Sequence, residues 1–402
     1  MFSTLIVTNI QYVKKTNLIL KFFYLYQILK RPPEKKTRAC TLRAITETSC
    51  RYKRWWYDNQ ACAWDSMTDV TDVFTIWYQP SQPQPASELS CTVSRHHARR
   101  HHPDEVLRKS VDSVWFNRLQ DNPTLFNGTK FRLAEIEPST DGSSQVHLRM
   151  SITDYASYLG TNWNVSFIRS LGTGVGVDER VDETILDRSY FSDCLGVGGI
   201  VLTTDGYIVL IRRGAHVAEY PNCVDVPGGH PEPSRVEGCD GPAWEYAPEE
   251  NENENEKEQE KEKEKEKEKE KEESKEKDDL QQPPSTVSSK ALVDEFYQSI
   301  LEEIYEEVNI PLSKLHDTRL LCIIRQTAAG GKPSGIFQIS CSLTSTEVKE
   351  LYSQGPPDAE ETTALVLMST ASVREMEVEE MSEKMCPACV ASLVIWKSFL
   401  TK

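Results

Sequence analysis

Leu301-Glu302-Glu303-Ile304-Tyr305-Glu306-Glu307-Val308-Asn309-Ile310 closes a segment with helical spacing. Ser288-Ser289-Lys290 offers its start, and Pro311 forbids continuation beyond Ile310. On a helix, Tyr297, Ile300, Leu301, Ile304 and Val308 fall on one face. Glu303 and Glu307 are one turn apart and separated by about 40° around the axis. Glu306 falls on the other side of Glu303 within the same arc. Asn309 suits a left-handed helix exit. Taken alone, this reads as an amphipathic helix with a solvated glutamate face.

A second stretch upstream changes that reading. It runs Val224-Asp225-Val226-Pro227-Gly228-Gly229-His230-Pro231-Glu232-Pro233. Gly228 and Gly229 permit a tight turn that brings backbone close to a ligand, and Glu232 adds a carboxylate. Carboxylates clustered in this way repel one another unless a cation neutralises them. Oxygen ligands of this kind select a hard ion, Mg²⁺ first and Mn²⁺ second.

Between the two stretches runs a Glu/Lys repeat, centred on residues 249–279. Its alternation puts like charges at i,i+4 and opposite charges at i,i+3, which supports a helix only in part. We read it as a disordered polyampholyte that loops out, and as a surface for a basic partner. Lengthening a loop adds only modest closure entropy, so the flanking stretches can still meet.

The chain has 402 residues and a formal charge of −16. That balance argues against a nucleic-acid binder. Its eleven cysteines follow no short-domain framework and read as reduced thiols of a cytoplasmic or nuclear protein. Cys386-Pro387-Ala388-Cys389 is a lone CxxC, best read as a buried structural pair. The apolar run at residues 18–29 is too short and too polar for a membrane span, and it lacks a signal cleavage site. A Gln/Pro run at residues 79–85 reads as a linker, and the His/Arg patch at 95–102 as solvated surface.

Ordered patterns are expected from Pro103 onward. A helix is expected at 105–119, with Val106, Val111, Val114, Trp115 and Leu119 on one side. Strands are expected at 130–135, 146–152, 320–326, 336–342 and 363–368, and helices at 154–159, 346–353 and 387–400. Two apolar runs flank Thr203-Thr204-Asp205-Gly206 and predict a hairpin. This mixture indicates an α/β or α+β fold. The expected organisation is a leader over 1–102, a substrate-contacting region over 103–190, and a main domain over 191–402 with an insert at 240–287.

The helical stretch resembles the box of the Nudix hydrolases, G-x5-E-x7-R-E-U-x-E-E-x-G-U with U aliphatic. It departs at Glu302, where the family has Arg, at Asn309, where it has Gly, and in its long spacing from Gly229. Leu159-Gly160-Thr161-Asn162-Trp163, Leu195-Gly196-Val197-Gly198 and Cys341-Ser342-Leu343-Thr344-Ser345 resemble the branch of that family that cleaves nucleotide sugars. The resemblance spans about residues 103–397. It implies an α/β (α+β) Nudix-type mixed sheet between helices, with an N-terminal α/β extension. It also implies Mg²⁺-dependent hydrolysis of UDP-glucose, and of UDP-galactose, to UMP and a sugar 1-phosphate. Another nucleoside diphosphate derivative, or a catalytically inactive binding module, are the competing readings.

By the same resemblance Glu303 and Glu307 are metal ligands, and Glu306 is a base or a second ligand. Phe126, Tyr155, Arg213, Ala218, Asp225, His230 and Glu232 contact the substrate. Ala388 stands where the family can have serine, so only a backbone contact survives there. Phe126 and Tyr155 suit a uracil, and Arg213 suits phosphate oxygens.

Overall fold

The Asp205-Gly206 turn joins β5 (Gly196–Leu202) to β6 (Tyr207–Arg213) as an antiparallel hairpin. Gly206 adopts φ +81°, which a side chain would strain. The computed structural model describes residues 73–400, apart from 124, 140–143, 172–185, 216, 218, 245–286 and 328–329. The apolar run at 18–29, most of the leader, the Glu/Lys tract and Ala218 therefore lie outside the described residues.

The hairpin sits inside a mixed sheet. β1 (Phe74–Tyr78), β9 (Leu315–Gln326), β10 (Lys332–Cys341), β5, β6 and β11 (Thr362–Ser369) follow one another in that order. Only β10 and β5 run parallel; the other pairs on this path are antiparallel. Two short strands extend it, β7 (Val224–Asp225) on β6 and β8 (Gly228–Gly229) on β5. A separate three-stranded sheet has the order β2 (Leu89–Val93), β4 (Val146–Asp154), β3 (Thr129–Pro138).

Period-two alternation sends the strand side chains to two cores. Val201, Val209 and Ile211 face the core that contains the motif helix α4 (Ser289–Val308), through Leu292, Phe296, Ile300 and Ile304. The small sheet joins the same core through Phe131, Leu133, Leu148 and Ile152. Ile200, Ile208 and Leu210 face the other core, formed with the C-terminal helix α8 (Pro387–Leu400) through Cys389, Val390, Leu393 and Trp396. The main sheet thus lies between two helical layers. Among the described residues, no helix is long and apolar enough to cross a membrane.

Most expected elements appear with boundaries moved by a few residues. α4 starts at its N-cap Ser288 and ends at Asn309, whose φ of 67° is the expected left-handed exit. Three expectations need correction. First, order begins well before Pro103, since β1 and β2 both precede it. The Gln/Pro run is not a free linker: Gln84 is fully buried and exchanges backbone hydrogen bonds with Leu320 at 2.9 and 2.8 Å. β1 is an edge strand, and a single bridging residue produces no periodic signal.

Second, α1 (Glu105–Asp121) does not bury Val106, which is 74% exposed. Its inner face keeps the expected Val111, Val114 and Trp115 and takes Leu107 in place of Val106, with Leu107 and Val111 against Phe167 and Phe191. Third, the His/Arg patch is not simply solvated: His102 packs edge-on against Tyr190, with ring centroids 4.7 Å apart.

Candidate active site

Three glutamates of α4 hold the backbone of the glycine turn. Glu307 accepts from Gly228 N–H at 3.0 Å, Glu303 from His230 N–H at 3.2 Å, and Glu295 from Glu232 N–H at 2.7 Å. The helix spacing brings the three acceptors along one flank, and the extended turn presents alternate amides to them. In this way the two stretches separated by the tract become one structure. The chain resumes beside its point of departure, with Val287 3.3 Å from a Cβ placed on Gly238.

The turn and the helix form one wall of a cleft of about 610 Å³. Glu303, Glu306, Glu307, Phe126, Tyr155, Arg213, Asp225, His230, Glu232 and Ala388 all line it. Phe126 stands 83% exposed at its rim. Arg213 donates to Glu219 O at 3.0 Å and to Asp225 Oδ2 at 3.3 Å, which orients its guanidinium across the β6–β7 edge.

Burial dominates the electrostatics. It pushes the Glu303 carboxyl up to about 7, with the His230 amide opposing the shift and Glu306 and Glu361 adding to it. Glu307, 3% exposed, is raised well above its ordinary value, by burial first and then by Glu303. Burial also raises Asp225, against the pull of Arg213. His230 is driven well below its ordinary value, by burial first and then by Lys332, Lys130 and Arg213. Its ring is therefore neutral near pH 7, and among the described residues its buried Nε2 has no hydrogen-bond partner.

Among the described residues, no group of three or more His, Cys, Asp or Glu side chains is arranged to hold a metal alone. The donor set still fits a hard cation bound partly by substrate. Glu303 and Glu307 each use one oxygen on a backbone amide and keep the other. Mg²⁺ commonly takes one or two carboxylates and completes its shell with water and phosphate oxygens.

Three curated relatives share most of the chain. The uridine diphosphate glucose pyrophosphatase NUDT22 of Homo sapiens is 32% identical over 318 residues, covering 78% of this chain and 88% of its own. The protein of the same name from Mus musculus is 32% identical over 319 residues, covering 79% and 86%. Nudix hydrolase 9 of Arabidopsis thaliana is 30% identical over 308 residues, covering 75% and 83%. The chain belongs to the Nudix hydrolases. No family model matches it.

The two residue substitutions among the three departures from the Nudix box have a structural account. Glu302 is outside the cleft lining and forms an ion pair with Arg235, just beyond the glycine turn. Asn309 tolerates its left-handed backbone, and its side chain donates to Leu351 O at 2.9 Å. Cys386 and Cys389 are both fully buried free thiols, and Cys386 reaches the cleft beside Asp225.

Sequence reasoning missed Glu295, Lys130, Glu219, Lys332 and Glu361. Glu295 carried a legible signal, since it precedes Glu303 by eight residues on the same helix. The other four come from separate elements and carried none.

The two glycines of this Nudix turn have different jobs. A Cβ on Gly229 would lie 1.8 Å from Glu303 Oε1, a mobile side-chain end. A Cβ on Gly228 would lie 2.3 Å from Val197 O, which is strand backbone. Gly229→Ala is therefore expected to fold but to displace Glu303, lowering turnover by about 10²-fold. Gly228→Ala is expected to lower the unfolding temperature as well. Turnover and thermal unfolding of both variants check this contrast.

Proposed function

We propose that this chain hydrolyses UDP-glucose, and UDP-galactose, to UMP and the sugar 1-phosphate in a Mg²⁺-dependent reaction. The carrying observation is the junction of Glu303 and Glu307 with the Gly228–His230 backbone, inside a cleft that also presents Arg213 and Lys130. Carboxylates beside cations suit a metal-bound diphosphate. The names of the mammalian relatives support the choice of sugar nucleotide.

In this reading Glu303 and Glu307 hold Mg²⁺ through their remaining oxygens. When bound, the ion offsets charge on the diphosphate and lowers the pKa of an attacking water. Arg213 is held by Asp225 and the Glu219 carbonyl and donates to a phosphate oxygen. Glu306 sits beside Glu303 and accepts a proton from the attacking water. His230 lines the cleft beside Gly229 and orients the substrate there. Tyr155 and the exposed Phe126 wall in the uracil, which covers apolar surface now open to solvent.

Product analysis tests the reading. UDP-glucose with Mg²⁺ is expected to yield UMP and glucose 1-phosphate in equal amounts, and to yield neither when the cation is chelated. Release of other products, or equal rates without a divalent cation, would overturn it.

A further inference from the structure

Lys332 opens β10 with its ammonium turned into the cleft, its side chain only 9% exposed. Among the described residues, its side-chain oxygen partner is Glu219 Oε2, at the long distance of 3.5 Å. The ring of Tyr158 lies against it, with the centroid 5.1 Å from Nζ. Tyr158 in turn packs near Tyr155, with centroids 6.1 Å apart. An ammonium carries three donors, and a buried one that leaves donors unmade is unfavourable. Glu219 is similarly enclosed, its side chain 15% exposed and also lining the cleft. Side by side, the two offer one strong acceptor and surplus donors to whatever lies against Tyr155.

We propose that Glu219 and Lys332 read the edge of the nucleobase and select uracil. The proposal rests on the UDP-sugar reading above and adds the residues that set base specificity. Uracil presents an N3–H donor between two carbonyl acceptors. The Glu219 carboxylate accepts from N3–H, and Lys332 donates to the adjacent carbonyl. Cytosine places a lone pair at N3, which a carboxylate repels. A site that hydrogen-bonds a substrate N–H rejects analogues lacking it, because its own buried group is then left unpaired.

The test compares UDP-glucose with CDP-glucose and with N3-methyl-UDP-glucose, and binding of UMP with binding of N3-methyl-UMP. The parent protein is expected to lose at least about tenfold in kcat/KM and in affinity on N3-methylation. Glu219→Gln can rotate its amide to donate to cytosine N3. It is expected to shrink the UDP-glucose to CDP-glucose ratio by about tenfold. Lys332→Met is expected to raise KM for UDP-glucose with less effect on kcat. Equal handling of methylated and unmethylated compounds by the parent protein would overturn the proposal without any variant. So would a Glu219→Gln protein whose glucose-to-galactose preference moves while its base preference stays. If the parent protein binds UMP selectively over N3-methyl-UMP but cleaves no UDP sugar, base reading survives and the proposed reaction fails.

Discussion

Replacing Glu303 and Glu307 together by glutamine is expected to reduce UMP release from UDP-glucose by at least about 10³-fold, the scale for loss of metal-based charge stabilisation. The fold should persist. Each glutamine oxygen can still accept from Gly228 or His230 N–H, and no volume is lost. Thermal unfolding supplies a second readout. In the metal-free protein Glu303 is raised from 4.5 to about 7, so the folded state binds more protons than the unfolded one. Stability therefore falls as pH rises from about 4.5 through about 7. Glutamine removes that loss, and the double variant should be the more stable protein near pH 7 without metal. A divalent cation should stabilise the parent protein increasingly over the same pH range, because it displaces those protons. It should leave the double variant unchanged. Undiminished turnover in the double variant would rule out this site.

Replacing Asp193 by alanine is expected to cost about 3–5 kcal/mol of stability, the penalty for breaking a buried ion pair from one side. Asp193 is 1% exposed and meets Arg188, as well as Arg325 at 3.1 Å and Asn162 at 2.9 Å. Arg188 also caps the Gly330 carbonyl at 3.0 Å. The cluster thus joins Asn162 and Arg188, which lie between β4 and β5, to β9 and the turn beyond it. Burial alone would raise the Asp193 carboxyl, but Arg188 and Arg325 outweigh it and hold the group down at about 2. A depressed carboxylate contributes its stability above its unfolded value, here about 3.8, and loses it as pH falls towards 2. Denaturant unfolding should show the parent protein losing this increment between those values and Asp193→Ala lacking it throughout. A variant as stable as the parent at neutral pH would mean that the arginines are satisfied without Asp193.

Much of the fold was legible because its signals are local. The hairpin at Asp205-Gly206, the helix ended by Asn309 and Pro311, and the C-terminal helix each depend on neighbours within a few residues. β1 and β2 were missed because short edge pairings carry no periodicity of their own. Val106 was misplaced although helical spacing sets it about 140° from Val111 and puts Leu107 one turn before Val111 on the buried arc. In the cleft, the glutamates of α4 were legible as a pattern, whereas Glu219, Lys332 and Lys130 were single charges in unrelated segments.

By itself, the sequence determined the two halves of the site. Gly228-Gly229 demanded a close backbone approach, and helical spacing aligned Glu303, Glu306 and Glu307. Only the tertiary structure decided that they meet. β8 pairs with β5, α4 packs beneath the sheet, and the turn amides fall within hydrogen-bonding reach of the helix carboxylates. That junction is set by contacts far apart in the chain. The same burial shifts the carboxylates out of their ordinary range, a property that belongs to the packed environment and not to the residues alone.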